Sequence, residues 1–335
     1  MLKLNVGLSF PEQSFTSELR KIELASKYNI NYLSVISLDT RRINKFWEAA
    51  YKTVQGSTIL CSAPLYETVL LNETPEETIK RQTSYGVRAM TFHITPKSLL
   101  DEAEKNGFII NSRGGQFIRE IQDENPYYER LNELILYAYD RGVTKIFLGT
   151  ALRPGSCGKI SPYTVKELEF ACELYDKYIS STTLDYEIEA FGHVAVSEFP
   201  LYKYILGNRK ICAMGPLLTD AVNGFDELNA IIGYTRALLA GFNISTECMI
   251  SRKEHIEIPN VEDVEDELQK WRVAEFIHKL NTNDYYNNEL NRRVCSKKLK
   301  QRNQCSAHYN IFGNMDNIPN VCNVCGDKCP LKERR

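Results

Sequence analysis

The 335-residue sequence has no apolar run near the roughly 18 residues that a membrane-spanning helix needs. Its amino terminus, MLKLNVGLSFPEQSF, lacks the apolar core of a secretory signal, so a cytoplasmic location is expected. A dominant charge is missing too: 41 Lys and Arg face 43 Asp and Glu, a formal net charge of -2. Such a chain has no field for nonspecific nucleic-acid or membrane-surface binding, and neither partner is expected. There is no short-period repeat and no low-complexity tract. A hydrophobic content of 43% excludes global disorder. Cysteine is not scarce, at ten residues, but a disulfide framework is not expected in the cytoplasm. Metal binding, redox chemistry or packing must account for the thiols.

What is present is alternation. Candidate strands fall at 3–8, 31–37, 58–62, 88–94, 144–149, 184–190, 210–215 and 244–249, with a short extra candidate at 108–111 (FIIN). Amphipathic helical patterns lie between them, several opened by Ser or Thr and closed near Gly. Examples are SELRKIELASKYN, TPEETIKRQTSYG, YYERLNELILYAYDRG, TVKELEFACELYDKYI and ELNAIIGYTRALLAG. Eight strands alternating with helices predict a (β/α)8 TIM-type barrel over 1–281, with an open doubly wound sheet as the alternative. A helix is expected at 260–281. Residues 282–335 read as a polar connector and a Cys-rich tail; this segment carries ten Lys and Arg against five Asp and Glu.

The tail ends in Cys322-Asn-Val-Cys325-Gly-Asp-Lys-Cys329. Three thiols this close can converge on a [4Fe-4S] cluster with one open iron, or on structural zinc with a fourth donor such as Cys295, Cys305 or His308. Free thiols are the third option. In a barrel, chemistry sits at the C-terminal ends of the strands. Polar residues recur there: Tyr66, His93, Ser112-Arg113-Gly114-Gly115, Arg153, Glu189, His193, Thr219, Asp220, Glu254 and His255. Ser112-Arg113-Gly114-Gly115 reads as a turn offering backbone N–H groups to a phosphate, or as an ordinary loop. His93 also reads as a hydrogen-bonded core imidazole, His278 as core, and Cys61, Cys157, Cys172, Cys212 and Cys248 mostly as packed hydrophobes.

The chain resembles the phosphomethylpyrimidine synthase family over nearly its whole length. The matching segments are LNVGLS, SAPLYE, MTFHIT, NSRGGQF, LGTALRPGS, IEAFGHV, MGPLLTDAVNGFDELNAIIGYTRALLAG, SRKEHIEIPNVEDVEDEL and CNVCGDKC. The resemblance implies an unconventional radical S-adenosylmethionine (SAM) lyase with a (β/α)8 barrel. It implies rearrangement of aminoimidazole ribonucleotide to hydroxymethylpyrimidine phosphate, for the pyrimidine of thiamin. Asn5, Tyr66, His93, Ser112, Arg113, Gly114, Arg153 and Glu189 would contact the substrate, with Glu189 and His93 as catalytic candidates. Cys322, Cys325 and Cys329 would bind the [4Fe-4S] cluster that cleaves SAM, and His193 and His255 would bind a divalent metal, zinc or iron. A flavodoxin or ferredoxin as electron donor and a homodimer are implied as well.

Departures are concentrated where ribose and base would lie. Thr150 and Ala151 stand where relatives have Asp and Gly, Ser34 near a Met, Cys212 at a Tyr, and Phe191 at a Pro. The tail spacing is C-x2-C-x3-C rather than C-x2-C-x4-C. The pattern suggests a paralogue with an altered product, such as a 5-hydroxybenzimidazole synthase. A zinc-dependent barrel enzyme and a noncatalytic nucleotide-binding protein are the alternatives of other classes.

Overall fold

Eight short strands, each buried over most of its length, pair side by side in sequence order and close on themselves. They are β1 (Leu2–Val6), β2 (Tyr32–Val35), β3 (Ile59–Ser62), β4 (Ala89–His93), β5 (Lys145–Gly149), β6 (Asp185–His193), β7 (Ile211–Leu217) and β8 (Ile244–Cys248). All pairings are parallel, and β1 joins β8 through Leu2–Glu247 and Lys3–Cys248. The computed structural model describes residues 1–155, 159–282 and 284–301. It is the expected (β/α)8 barrel. Parallel strands covered by helices outside and packed side chains inside explain the near-continuous apolar runs of the sequence.

Side-chain oxygens start several helices. Ser14 accepts from Ser17 N–H, Ser161 from Thr164 N–H, and Thr74 forms a reciprocal capping box with Glu77. The helix Asp226–Leu239 is drawn tightly onto β7: a Cβ on Gly233 would sit 2.0 Å from the Pro216 carbonyl oxygen.

Two expectations are corrected. Residues 108–111 are not a strand, because β4 already pairs with β5 from Ala89–Lys145 to His93–Gly149 and leaves no edge to join. The pattern at 127–142 splits at Arg130 into Pro126–Glu129 and Leu131–Tyr139. Within the expected polar connector, Asp284–Gln301 is a helix without Gly or Pro, with Glu289 paired to Arg292 and Arg293 one turn on. The chain falls into two units, divided between Trp271 and Arg272. Cys157, Cys305, His308, Cys322, Cys325 and Cys329 lie outside the described residues. Cys61, Cys172, Cys212 and Cys248 are buried free thiols, as packing hydrophobes should be, whereas Cys295 is exposed and His278 only half-buried. Among the described residues no helix is long and apolar enough to cross a membrane.

Candidate active site

The barrel mouth at the C-terminal strand ends contains a cavity of about 340 Å³. Asn5, Tyr66, Ser112, Arg113, Arg153, His193 and His255 all line it. Seven of the ten site candidates within the described residues thus share one wall, although they come from separate βα units. The other three stand immediately behind it. His93 meets Tyr66, Glu189 meets Arg153, and Gly114 packs on His93.

Part of the cavity lining is a helix start. Ser112 caps the helix Arg113–Glu120: its Oγ accepts from Gly115 N–H at 3.0 Å and donates to the Ala151 carbonyl at 2.9 Å. The Ser112 hydroxyl is therefore used in building the turn. The first-turn N–H groups of Arg113 and Gly114 have no intrahelical acceptor, and the helix dipole favours an anion there. The Arg113 side chain adds a full positive charge. Gly114 is required by contact: a Cβ would lie 2.0 Å from Cδ2 and 2.3 Å from Nε2 of His93. This close approach is why the turn carries glycine and why it reaches the end of β4.

His93 is buried, with Nε2 3.3 Å from the Tyr66 hydroxyl and Nδ1 without a protein partner. Burial pushes its pKa down to about 4, so the ring is neutral near pH 7. Burial likewise lifts Tyr66 to about 12, which keeps its hydroxyl protonated. Tyr66 stacks on Phe117 with ring centroids 4.7 Å apart, fixing the phenol against the wall. The pair can exchange donor and acceptor roles with a ligand but carries no charge.

Glu189 behaves differently. Burial alone would raise it, but the charges of Lys3 and Arg153 outweigh burial and hold the carboxyl below its ordinary range. Its Oε1 accepts from Lys3 Nζ at 3.2 Å and from Thr91 Oγ1 at 3.0 Å, while Oε2 lies 3.8 Å from Arg153 Nη1. Lys3 and Thr91 were not among the sequence candidates. The available signal was a lysine inside an otherwise apolar first strand, LKLNV.

The two histidines that line the cavity face one another, ring centroids 4.9 Å apart. Nδ1 of His255 is 2.9 Å from Asp226 Oδ2, and Nδ1 of His193 contacts Asp220 Oδ1. Each carboxylate fixes its ring and leaves Nε2 as the free donor, the arrangement by which protein metal sites orient imidazole ligands. Asp226, in the first turn of its helix, was missed in the sequence because its partner comes from the loop after β8. His193 owes its position to a bend: Phe191 and Gly192 adopt φ of 84° and 90°, and the β6–β7 register shifts there. Phe191 is clamped by Phe199, Tyr202 and Phe242, and Tyr202 donates to its carbonyl at 3.2 Å.

The departing positions do not face the cavity. Thr150 is fully buried and its hydroxyl donates to the Glu189 carbonyl at 2.7 Å. Ser34, Phe191 and Cys212 are buried as well. A second, smaller cavity of about 110 Å³ adjoins the first, sharing Asn5, Ile36, Arg113 and Glu254, and contains the buried Glu18–Lys21 pair and Glu267.

Residues 2–335 match the Radical SAM ThiC family. The chain belongs to that family. A phosphomethylpyrimidine synthase of Natronomonas pharaonis is 31% identical over 298 residues, covering 81% of this chain and 59% of that protein. Another, of Carboxydothermus hydrogenoformans, is 27% identical over 363 aligned positions, covering 98% of this chain and 82% of that protein. The chain therefore spans about three-fifths of the first relative's length and about four-fifths of the second's. Among solved structures, a truncated 3-deoxy-D-arabino-heptulosonate 7-phosphate synthase of Thermotoga maritima aligns with a TM-score of 0.43 at 9% identity, over 83% of this chain and 88% of that one.

Proposed function

We propose that this member of the Radical SAM ThiC family is a phosphomethylpyrimidine synthase acting on aminoimidazole ribonucleotide or a close relative. The observation that carries the reading is the cavity's layout. A helix start suited to an anion, Tyr66 with His93 behind it, Arg153 with the charged Glu189 behind it, and an anchored histidine pair surround one cavity. That set of groups suits a phosphorylated imidazole. Arg113 with the N–H groups of Arg113 and Gly114 would take the phosphate. Asn5, Tyr66 and His93 would orient the neutral rings, and Arg153 with Glu189 would take hydroxyl or amino groups.

His193 and His255 fit a divalent ion, zinc or iron, through their free Nε2 atoms. Among the described residues no third His, Cys, Asp or Glu completes the set, so the remaining positions would be left to small molecules. The ion would supply a fixed positive centre for their oxygen or nitrogen donors. Cys322, Cys325 and Cys329 remain our proposed ligands for a [4Fe-4S] cluster, which when bound supplies the electron that cleaves SAM. The chain's own part is to bind, to orient and to shield the reacting atoms from water. A flavodoxin or ferredoxin donor and a homodimer belong to the same proposal.

Anaerobic reconstitution with iron and sulfide tests it. We expect a cubane EPR signal that changes with SAM, and 5′-deoxyadenosine formation that depends on aminoimidazole ribonucleotide. Nucleotide binding without SAM turnover would turn the reading to a noncatalytic protein. Zinc in the tail, with activity surviving iron removal, would turn it to a metal-dependent barrel. One observation favours a second reading, an altered product such as 5-hydroxybenzimidazole. Thr150, at the position where relatives have an acid, donates its hydroxyl to the Glu189 carbonyl and accepts from Arg153 Nη1 at 3.2 Å, behind the cavity lining. Mass spectrometry of the product separates the two.

A further inference from the structure

A lysine closed inside a barrel has few reasons to be there. Lys3 is 3% exposed, lies 4.1 Å from the Phe147 ring centroid and belongs to the layer of side chains just beneath the cavity. Its ammonium carries three donors and no acceptor. It therefore donates both to Thr91 Oγ1 and to Glu189 Oε1, each at 3.2 Å. Having accepted from Lys3, Thr91 turns its own proton to the same Oε1 at 3.0 Å. That oxygen receives two donors and has no place for a proton of its own. The contact joins β1 to β6 across the barrel, 186 residues apart in sequence.

We propose that Lys3 is a positioning residue: with Thr91 it holds Oε1 of Glu189 and leaves Oε2, beside Arg153, to accept a hydrogen bond from an amino or hydroxyl group of the ligand. The last clause rests on reading the cavity as the ligand site; the coupling of Lys3 to Glu189 does not. Glu189 so held is kept ionised and presents Oε2 as an acceptor. It selects ligands by a donor at one place and rejects those that offer only an acceptor there, since an acceptor facing a buried carboxylate leaves both groups unpaired.

The charged and titratable groups around Glu189 all come from the barrel. They are Lys3 on β1, His93 on β4, Arg153 after β5, Cys212 on β7, Cys248 on β8 and Tyr66 at the mouth. Burial lifts the Tyr66 and Cys248 pKa values to about 12 and pushes Cys212 up as well, so these groups stay neutral. His93 is neutral above its depressed pKa of about 4. Arg153, at 3.8 Å from the other oxygen, is the one remaining cation in this set once Lys3 is removed.

The test compares Lys3→Met with the unaltered protein, each also carrying Glu189→Gln. Thermal midpoints are read from pH 4.5 to 8. In the unaltered protein an ionised Glu189 is paired. In Lys3→Met it must take up a proton or stay buried with its charge weakly met. The gap in midpoint is expected to widen as pH rises through the carboxylate range, and that widening, between about pH 4.5 and 6, is expected to be absent in the Glu189→Gln background. A gap of equal size at every pH overturns the proposal. Calorimetric titration with aminoimidazole ribonucleotide supplies the second readout. Above about pH 5 the affinity of the unaltered protein should follow only the second ionisation of the nucleotide phosphate, near about pH 6. Lys3→Met should bind at least roughly tenfold more weakly near neutrality, recovering as pH rises. Nucleotide affinity unaffected by Lys3→Met overturns the presentation of Oε2. No nucleotide binding by the unaltered protein overturns the functional reading and with it that clause, while the midpoints still decide the coupling. Should Lys3→Met not fold, Thr91→Val removes the bridging hydroxyl, keeps both charges and undergoes the same scan. Its gap should widen less but in the same direction, and a gap independent of pH there overturns the proposal.

Discussion

Adding one methyl group at Gly114 should damage both the fold and the site through a single neighbour. In Gly114→Ala the new Cβ would start 2.0 Å from Cδ2 and 2.3 Å from Nε2 of His93, far inside contact distance. The ring has little room to yield. Its Nε2 faces Tyr66 at 3.3 Å, its backbone carbonyl accepts from Asn125 Nδ2 at 2.7 Å, and it is packed near Gly149. Overpacking of this kind costs about 1–3 kcal/mol. For a barrel of this size that corresponds to a midpoint lowered by roughly 2–6 °C. Displacing the ring also breaks the Tyr66–His93 contact, so nucleotide affinity should fall roughly tenfold or more, about 1.4 kcal/mol. Thermal unfolding and calorimetric titration measure the two effects. His93→Ala in the same chain should make room for the methyl, so the double variant should be more stable than the sum of the singles implies, by about 1 kcal/mol. Additive singles, or a Gly114→Ala protein that binds and melts like the parent, would show that the glycine is not held by the imidazole.

The acid limb of stability offers another check. His93 has a folded pKa of about 4 against about 6.5 unfolded, so the unfolded chain binds the extra proton between these values and stability falls as pH drops. The contribution is roughly 3 kcal/mol across that window, and His93→Gln should remove it from the pH–stability curve. Asp220→Asn and Asp226→Asn should each weaken metal retention about 10–100-fold in chelator competition, because each carboxylate fixes the imidazole behind which it stands. Equal retention in both variants would disconnect the histidine pair from metal binding. At Phe191, φ of 84° reverses the usual order of truncations. Phe191→Gly should be more stable than Phe191→Ala by about 1 kcal/mol, although both lose the aromatic contacts. Thr74→Ala, which removes one arm of the capping box, should cost about 1 kcal/mol in denaturant unfolding and leave nucleotide binding unchanged.

Local signals determined much of this protein. Apolar runs of four to six residues, helices opened by Ser or Thr and the alternation of the two are properties of short segments, so strand and helix order could be read directly. The polar residues at strand ends could be read as well, since strand direction tells which end of a barrel they occupy. The same logic overreached at 108–111, where a strand-like run meets a sheet already paired on both sides. It fell short after 282, where a polar sequence without breakers continues as helix.

Only closure of the barrel decided the partners. Lys3 reaches Glu189 and Thr91, His193 reaches His255, and Asp226 reaches the loop after β8 because parallel strands in sequence order bring every strand end to one rim. No spacing along the chain encodes those pairs. A lysine read alone in LKLNV is an anomaly in an apolar strand. Its meaning, a cation fixed beneath a carboxylate, exists only once the sheet has curved through a full turn and placed β1 across from β6.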